Sequence, residues 1–282
     1  MDRMKKEVSS AGRRLVTIID PHINANPDYF VFADGLELQE SEWKKGDAKN
    51  IFVRNEKAET LYAEAWPGNS TFIDFLNENA REFWKEQFTK FEGTTSLFYA
   101  WNDVNDPCVF NGPIKTMPVQ FKHVMKDGTY VLHRDVHNAY GTLEHMSSFK
   151  GWRAKYAEQD MRPFILSRSY FFGSQKYGPM WTGDTQALLG EPYGSLNEML
   201  SMGVAGHPFA GADIPGYKLE PPEDLWVMMY QLGMFYPFFR AHNEINYQDR
   251  EPWLQNDRIQ GVIRDAIMLR YDLIHYIYTM FY

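Results

Sequence analysis

The sequence predicts an α/β fold, a (β/α)₈ TIM barrel, and three observations carry that expectation. Five short apolar runs each finish in a polar or charged residue, helical patterns lie between them, and no G-x-G-x-x-G or Walker-type phosphate loop follows any run. Strands alternating with helices imply parallel pairing, and in a barrel of this kind the C-terminal strand ends form the catalytic mouth.

Taken in chain order, the first run is Arg14 to Asp20 (RLVTIID), which delivers Asp20 to that mouth. The stretch from Ala33 to Ala63 is polar, with Lys44, Lys45, Asp47, Lys49, Asn50, Arg54, Asn55, Glu56 and Lys57, and predicts an inserted loop over the mouth around residues 33–63. Ile73 to Phe88 places Phe75, Leu76, Ala80, Phe83, Trp84 and Phe88 at helical spacing. Ser96 to Asp103 (SLFYAWND) is the second strand, ending in Asp103, and Met117 to Asp127 is a second predicted loop. A helix over Val136 to Tyr156 leads to the strand Arg162 to Arg168, which ends in Arg168. Gly178 to Asp184 (GPMWTGD) ends in Asp184, a helix follows over Leu188 to Met202, and Val204 to Asp213 ends in Asp213. Asp224 to Phe235 begins a helix directly after Pro221 and Pro222. Five strands are fewer than the eight that close a barrel. The helix-like segment Tyr271 to Tyr282 stops while still hydrophobic, so residues 1–282 are expected to be one partial barrel domain, a fragment.

Composition removes several functional classes. Lys plus Arg number 29 against 37 Asp plus Glu, a net charge of −8, and no basic run is present to grip a phosphate backbone or an anionic membrane. No apolar stretch reaches 18 residues, and the start MDRMKKEVSSAGRR lacks the apolar core of a secretory signal. Cys108 is the single cysteine, which excludes an internal disulfide and a multi-cysteine zinc site. His133 and His137 stand four apart in HRDVH without the HExxH glutamate, and a structural role outweighs metal binding; neither a metal nor a cofactor is expected. Aromatic residues make up 16% of the chain. Such rings pack cores, and they also stack on the apolar faces of sugars; composition leaves both readings open.

The chemistry lies in two segments. In Trp101 to Phe110 (WNDVNDPCVF), alternation along a strand sets Asp103 between Trp101 and Asn105 on one face, so a carboxylate stands between a ring and an amide. Read alone, Asp103 and Asp106 equally suit capping of the turn entered at Pro107. In Ser167 to Asp184, Arg168 closes one strand and Asp184 the next, with Trp181 and Gly183 beside it. Two carboxylates flanking one sugar, one ionised and one protonated, are the minimum for glycoside hydrolysis; Asp103 and Asp184 are the candidate pair.

The segment Trp101 to Pro107, followed by Val109-Phe110-Asn111-Gly112-Pro113, resembles the nucleophile signature W-[NI]-D-M-N-E-P of glycoside hydrolase family 31. VTIIDPH (Val16 to His22), AWPG (Ala65 to Gly68), HRDVHNAYG (His133 to Gly141), Arg162 to Asp184, GADIPGY (Gly211 to Tyr217) and YQLGMFYPFFRAH (Tyr230 to His242) recur in the same order in that family. HRDVHNAYG and FNGP resemble its glucosidase II α-subunit and neutral α-glucosidase branch. The resemblance implies a truncated TIM barrel lacking its first strands and its last, with Asp103 as nucleophile and Asp184 as acid/base of a retaining α-glucosidase. It implies that Arg168 and His242 grip glucose hydroxyls, that Trp66, Trp101, Trp181 and Tyr217 line the sugar site, and that Asp20, Asp213 and Arg240 are polar groups around it. It further implies an oligosaccharide or N-glycan substrate, a β-type partner subunit and the endoplasmic reticulum lumen, although no targeting signal is present in this chain. A catalytically impaired fragment or glycan-binding relative of the same family is the alternative reading. Val104, Asp106, Cys108, Thr185 and Pro215 depart from the family's usual Met, Glu, Ser, Asn and Gly.

Overall fold

A computed structural model describes residues 2–44, 50–91, 98–112, 114–159 and 161–281. The chain divides into two compact units, Met1–Gly178 and Pro179–Tyr282.

The first unit holds helices α1 (Asp2–Ser10), α2 (Phe30–Lys44), α3 (Glu78–Lys90) and α4 (His133–Lys155). Its strands are β1 (Leu15–Ile19), β2 (His22–Asn24), β3 (Ala63–Ala65), β4 (Gly68–Phe72), β5 (Phe98–Asn102), β6 (Lys122–Val124), β7 (Tyr130–Leu132) and β8 (Ile165–Ser167). Strand β5 pairs in parallel with β1 on one side and β8 on the other, with Ile19 opposite Asn102 and Asn102 opposite Ser167. The three strands therefore end level, and the next residue of each is Asp20, Asp103 and Arg168. Beside them β2, β4 and β3 form an antiparallel sheet, and β6 and β7 a hairpin.

Helices α3 and α4 pack against each other. The Trp84 indole donates to Ser148 Oγ at 3.0 Å, and Gly151 lets the ring of Phe88 lie where a Cβ would be only 2.8 Å away. Phe75 meets Trp84 and Tyr140 edge-on at 5.4 and 5.5 Å, while Tyr99 stacks on Trp152 at 5.5 Å. Much of the chain's aromatic content is thus core, as the packing reading anticipated.

The structure corrects three expectations in this unit. The segment 33–63 is not an irregular loop. Its first part continues α2, and Ile51, Phe52 and Val53 are fully buried, so its apolar residues outweigh the charges flanking them. Lys45, Asp47 and Lys49 of that segment, Ser96 and Leu97 of the second strand run and Pro113 of FNGP lie outside the described residues. The 117–127 stretch is partly β6. The helix expected from Ile73 starts only at Glu78, because Ile73 bridges Phe52, Asp74 N donates to Ile51 O at 2.8 Å, and Asn77 caps the helix through Asn79 N.

The second unit contains β9 (Met180–Trp181), α5 (Glu191–Val204), β10 (Ala210–Gly211), β11 (Asp213–Ile214), α6 (Glu223–Gly233), β12 (Arg240–Ala241) and α7 (Asp257–Met280). Strand β9 runs parallel to β10, and β11 to β12, with Asp213 opposite Arg240. The strand expected from Val204 begins only at Ala210: Val204 is the last residue of α5, and Gly206 turns the chain at φ 84°. Ile214, Leu225, Met229, Tyr230, Ile259 and Ile263 form this unit's core under α6 and α7. No helix among the described residues is long and apolar enough to cross a membrane.

Candidate active site

The level ends of β1, β5 and β8 gather three of the predicted site residues. Arg168 Nη1 lies 3.0 Å from Asp103 Oδ1, and its Nη2 lies 2.8 Å from Asp106 Oδ1. One guanidinium thus spans two carboxylates, a use of its planar fork that a lysine could not reproduce. Burial opposes the charge on Arg168, but Asp103 and Asp106 together outweigh it and hold the guanidinium above its ordinary pKa. The same Coulomb attraction favours negative charge on Asp103, the condition for a nucleophile.

Asp20 completes the group. Burial, then the neighbouring charge of Asp103, raises its pKa to about 7, with Arg168 pulling the other way. His22 Nε2 approaches Asp20 Oδ2 at 3.4 Å, and burial lowers the His22 pKa to about 4. Between those two pH values both groups are neutral, so their contact is polar and not an ion pair. A cavity of about 770 Å³ opens here, and Asp20, His22, Tyr29, Trp66 and Trp84 are among its walls. Trp66 is 69% exposed and braced edge-on by Phe110 at 4.8 Å, so its face is available for stacking.

The turn after Asp103 is held from below. Val104 adopts φ 45°, an unfavourable region for a β-branched residue. Asn105 pins it there: its side chain donates to Ser167 Oγ at 2.9 Å and accepts from Ser169 N at 2.8 Å, while Cys108 N donates to Val104 O. The glycine of HRDVHNAYG has its reason in the same place, because a Cβ on Gly141 would fall 2.5 Å from Asn105 O. Burial and the adjacent Asp106 push the Cys108 thiol up to about 11, which leaves it unreactive. His133 and His137 of the same motif bond to each other at 2.8 Å. His123 continues the row at 2.9 Å from His133, and Asp74 ends it at 2.7 Å from His123. These rings serve one another within the fold.

In the second unit, Trp181 is buried with the Arg240 guanidinium 5.2 Å over its ring, and Arg240 Nη2 meets the fully buried Asp213 at 2.6 Å. Tyr217 stacks on His242 with ring centroids 5.0 Å apart. Burial first, then Arg240 and Arg250, lowers the His242 pKa to about 4, leaving a neutral imidazole at physiological pH. Asp184 is exposed, just after the left-handed Gly183 at φ 83°. Backbone bonds fix its turn: Thr182 N to Gly211 O, Thr185 N to Gly183 O, and Tyr217 N to Thr185 O at 2.8 Å. The first unit therefore brings Asp20, Asp103 and Arg168 together, with Trp101 in the strand before Asp103 and Trp66 at the cavity wall. The second groups Trp181, Asp213 and Arg240, pairs Tyr217 with His242, and presents Asp184 at the end of β9.

Sequence reasoning passed over Asn102, His22 and Glu144, and gave Asn105 no anchoring role. Glu144 carried a signal, since it falls one helical turn after Tyr140 and one before Ser148 on the face of α4 that a core-facing helix keeps apolar or small.

The whole chain answers to one family model. Residues 1–280 match the glycosyl hydrolases family 31 TIM-barrel domain. A probable glucan 1,3-alpha-glucosidase of Oryza sativa subsp. japonica is 40% identical over 280 residues, 99% of this chain and 29% of that protein. A crystal structure of glucosidase II alpha subunit, α3-Glc2-bound, superposes with a TM-score of 0.86 at 40% identity over 96% of this chain and 28% of that one. The same TM-score, identity and coverage hold for the ER glucosidase II heterodimeric complex of catalytic subunit and the binding domain of the regulatory subunit. The chain spans under a third of the length of these relatives.

Proposed function

The chain belongs to glycosyl hydrolase family 31 and carries that family's TIM-barrel fold, and from this premise we propose that it is the catalytic portion of a retaining α-glucosidase that releases terminal α-linked glucose from oligosaccharides. The observation that supports the reading best is the group at the level ends of β1, β5 and β8. There a carboxylate ion-paired with a half-buried guanidinium stands next to a carboxyl of raised pKa, and that second carboxyl lines a cavity whose wall also holds an exposed tryptophan.

In this reading Asp103 attacks the anomeric carbon and forms a glycosyl ester. Protonated Asp184 gives its proton to the departing glycosidic oxygen, then takes one from the water that cleaves the ester, so both carboxyls return to their starting states. Two inversions at one carbon retain its configuration. Arg168 holds Asp103 ionised and, with neutral His242, offers hydrogen bonds to sugar hydroxyls. Below pH about 7 Asp20 carries a proton and donates one as well. Trp66, Trp101 and Tyr217 supply apolar faces for the ring, and Trp181 backs the Arg240 guanidinium that Asp213 holds in place. The substrate we favour is a glucose-capped N-glycan in the endoplasmic reticulum lumen, with a regulatory subunit of β type as partner, since one of the similar structures is such a heterodimer.

Release of aryl α-glucosides by the intact protein tests this, followed by proton NMR of the first sugar formed. The α-anomer is expected to appear first, with Asp103→Asn inactive. For Asp184→Asn, kcat/KM is expected to be nearly kept on substrates whose leaving group needs no proton, while kcat falls because the second step loses its base. The β-anomer first would contradict the double displacement with Asp103 as nucleophile, and sugar binding without any Asp103-dependent release would favour a glycan-binding relative.

A further inference from the structure

Glu144 is a fully buried carboxyl that the mechanism above leaves unused. It sits on α4, facing the end of β5. Its Oε1 accepts from Asn102 Nδ2 at 3.2 Å, and the nearby Asn105 amide favours the charged form of the carboxyl. Asn102 stands one residue before Asp103, so this buried group bonds the residue that leads into the nucleophile. The Asn102 amide nitrogen is shared further with Ile19 O and Ser148 Oγ, each at 3.1 Å, which ties the end of β5 to β1 and to α4.

Two atoms in this cluster have no hydrogen-bond partner among the described residues, Glu144 Oε2 and Asn102 Oδ1. If Glu144 is ionised, both are acceptors, and each buried orphan carries a desolvation penalty. A proton on Oε2 changes the count: the hydroxyl becomes a donor, and the residue already bonded to Oε1 offers the matching acceptor. Charge argues the same way. Burial first, and then Asp20, push the Glu144 pKa well above the usual carboxylate range, with Asp103 adding to the effect and the Asn105 amide opposing it. Tyr140, one turn earlier on α4, also feels the Glu144 charge, but its hydroxyl is committed to Ile73 O.

We propose that Glu144 is a neutral carboxylic acid paired reciprocally with Asn102, Oε1 accepting from Nδ2 and the Oε2 hydroxyl donating to Oδ1, and that this acid–amide pair is a positioning device for Asp103. The pairing stands on the geometry of the cluster alone; the positioning role rests on the assignment of Asp103 as nucleophile. Because a neutral acid and a primary amide present the same acceptor and donor, Glu144→Gln preserves the pattern. Glu144→Leu keeps an apolar filling and removes it.

Infrared spectroscopy of the intact protein at pH 9, with and without ¹³C-glutamate, tests the pair directly. At that pH Asp20 and Glu191, both raised to about 7, are ionised and do not contribute. A protonated-carboxyl stretch is expected to persist, to move with the glutamate label and to vanish in E144Q. Its absence overturns the proposal, and so does titration of the E144Q-sensitive band in the ordinary carboxylate range. In turnover, E144L is expected to lose about tenfold in kcat, about 1.4 kcal/mol of barrel-mouth alignment, with KM within twofold, and E144Q to restore the rate. An unchanged kcat in E144L overturns the positioning role. Wild-type protein that shows the band but never turns over an α-glucoside counts against the function, not against the pair.

Discussion

Asp103 and Asp184 are given the two halves of one reaction, yet their surroundings are built on different principles. Asp103 is held by side chains: Arg168 from the end of β8, Asn102 and Asn105 on either side, and Glu144 and Ser148 beneath from α4. Asp184 is held by backbone, in a turn pinned through Thr182, Thr185 and Tyr217. The difference follows the chemistry proposed for each. A nucleophile must keep its charge in a site that excludes water, so it needs fixed charge partners and a satisfied polar floor. A residue that alternately gives and takes a proton needs contact with solvent and leaving group, and Asp184 is exposed.

The largest expected effect tests that contrast at its centre. Asp103→Asn should lower kcat by about 10⁴-fold or more with little change in KM, measured on an aryl α-glucoside. A comparable loss of kcat/KM in Asp184→Asn on the same activated substrate would erase the distinction.

The next effect is a stability change that depends on pH. Asp20 has a folded pKa of about 7 against an ordinary value of 3.8, so its contribution to stability is present at pH below 3.8 and lost as pH rises to 7. Asp20→Asn should therefore stabilise the protein at pH 8 by up to about 4 kcal/mol and change it little at pH 3, at the expense of activity. His242 in the second unit has the opposite sign. Its pKa is lowered to about 4, so its contribution is present above 6.5 and lost as pH falls toward 4. Urea denaturation of Asp20→Asn and of a His242→Gln variant across pH 4 to 8 checks the two slopes, and parallel slopes would break the contrast.

Two glycines give the smaller pair. Gly141→Ala should cost about 1–3 kcal/mol, because its Cβ has no space against the Asn105 carbonyl that shapes the nucleophile turn. Gly194 lies exposed within α5, and a Cβ added there would meet nothing within 4 Å, so Gly194→Ala should stabilise by about 0.5–1 kcal/mol. Thermal unfolding of the two single variants reads both signs.

What the sequence made legible divides along the same line. Strands ending in Asp20, Asp103, Arg168 and Asp184 could be read because a buried parallel strand is an apolar run and its functional end is a polar residue. The same pattern marked α3 and α4, whose apolar faces recur at helical spacing. The antiparallel β2, β3 and β4 were missed because their sequences HIN, AEA and GNSTF hold no apolar run. The 33–63 segment misled because its charges are conspicuous, whereas Ile51, Phe52 and Val53, which decide its burial, form a run too short to show a period. Glu144 and the asparagines were illegible as a cluster: their role comes from three elements converging, and each looks ordinary in its own segment. The motif resemblance named the candidate reacting groups, but it could not show what lies beneath them.

The most direct test of the nucleophile assignment is covalent trapping. The intact protein is treated with a 5-fluoro-α-glucosyl fluoride, whose slowed second step lets the glycosyl ester accumulate, then digested and sequenced by mass spectrometry. The label is predicted on Asp103, in the peptide containing WNDVNDP. Labelling of Asp184 or Asp20 instead, with Asp103 unmodified while activity is lost, would contradict the assignment.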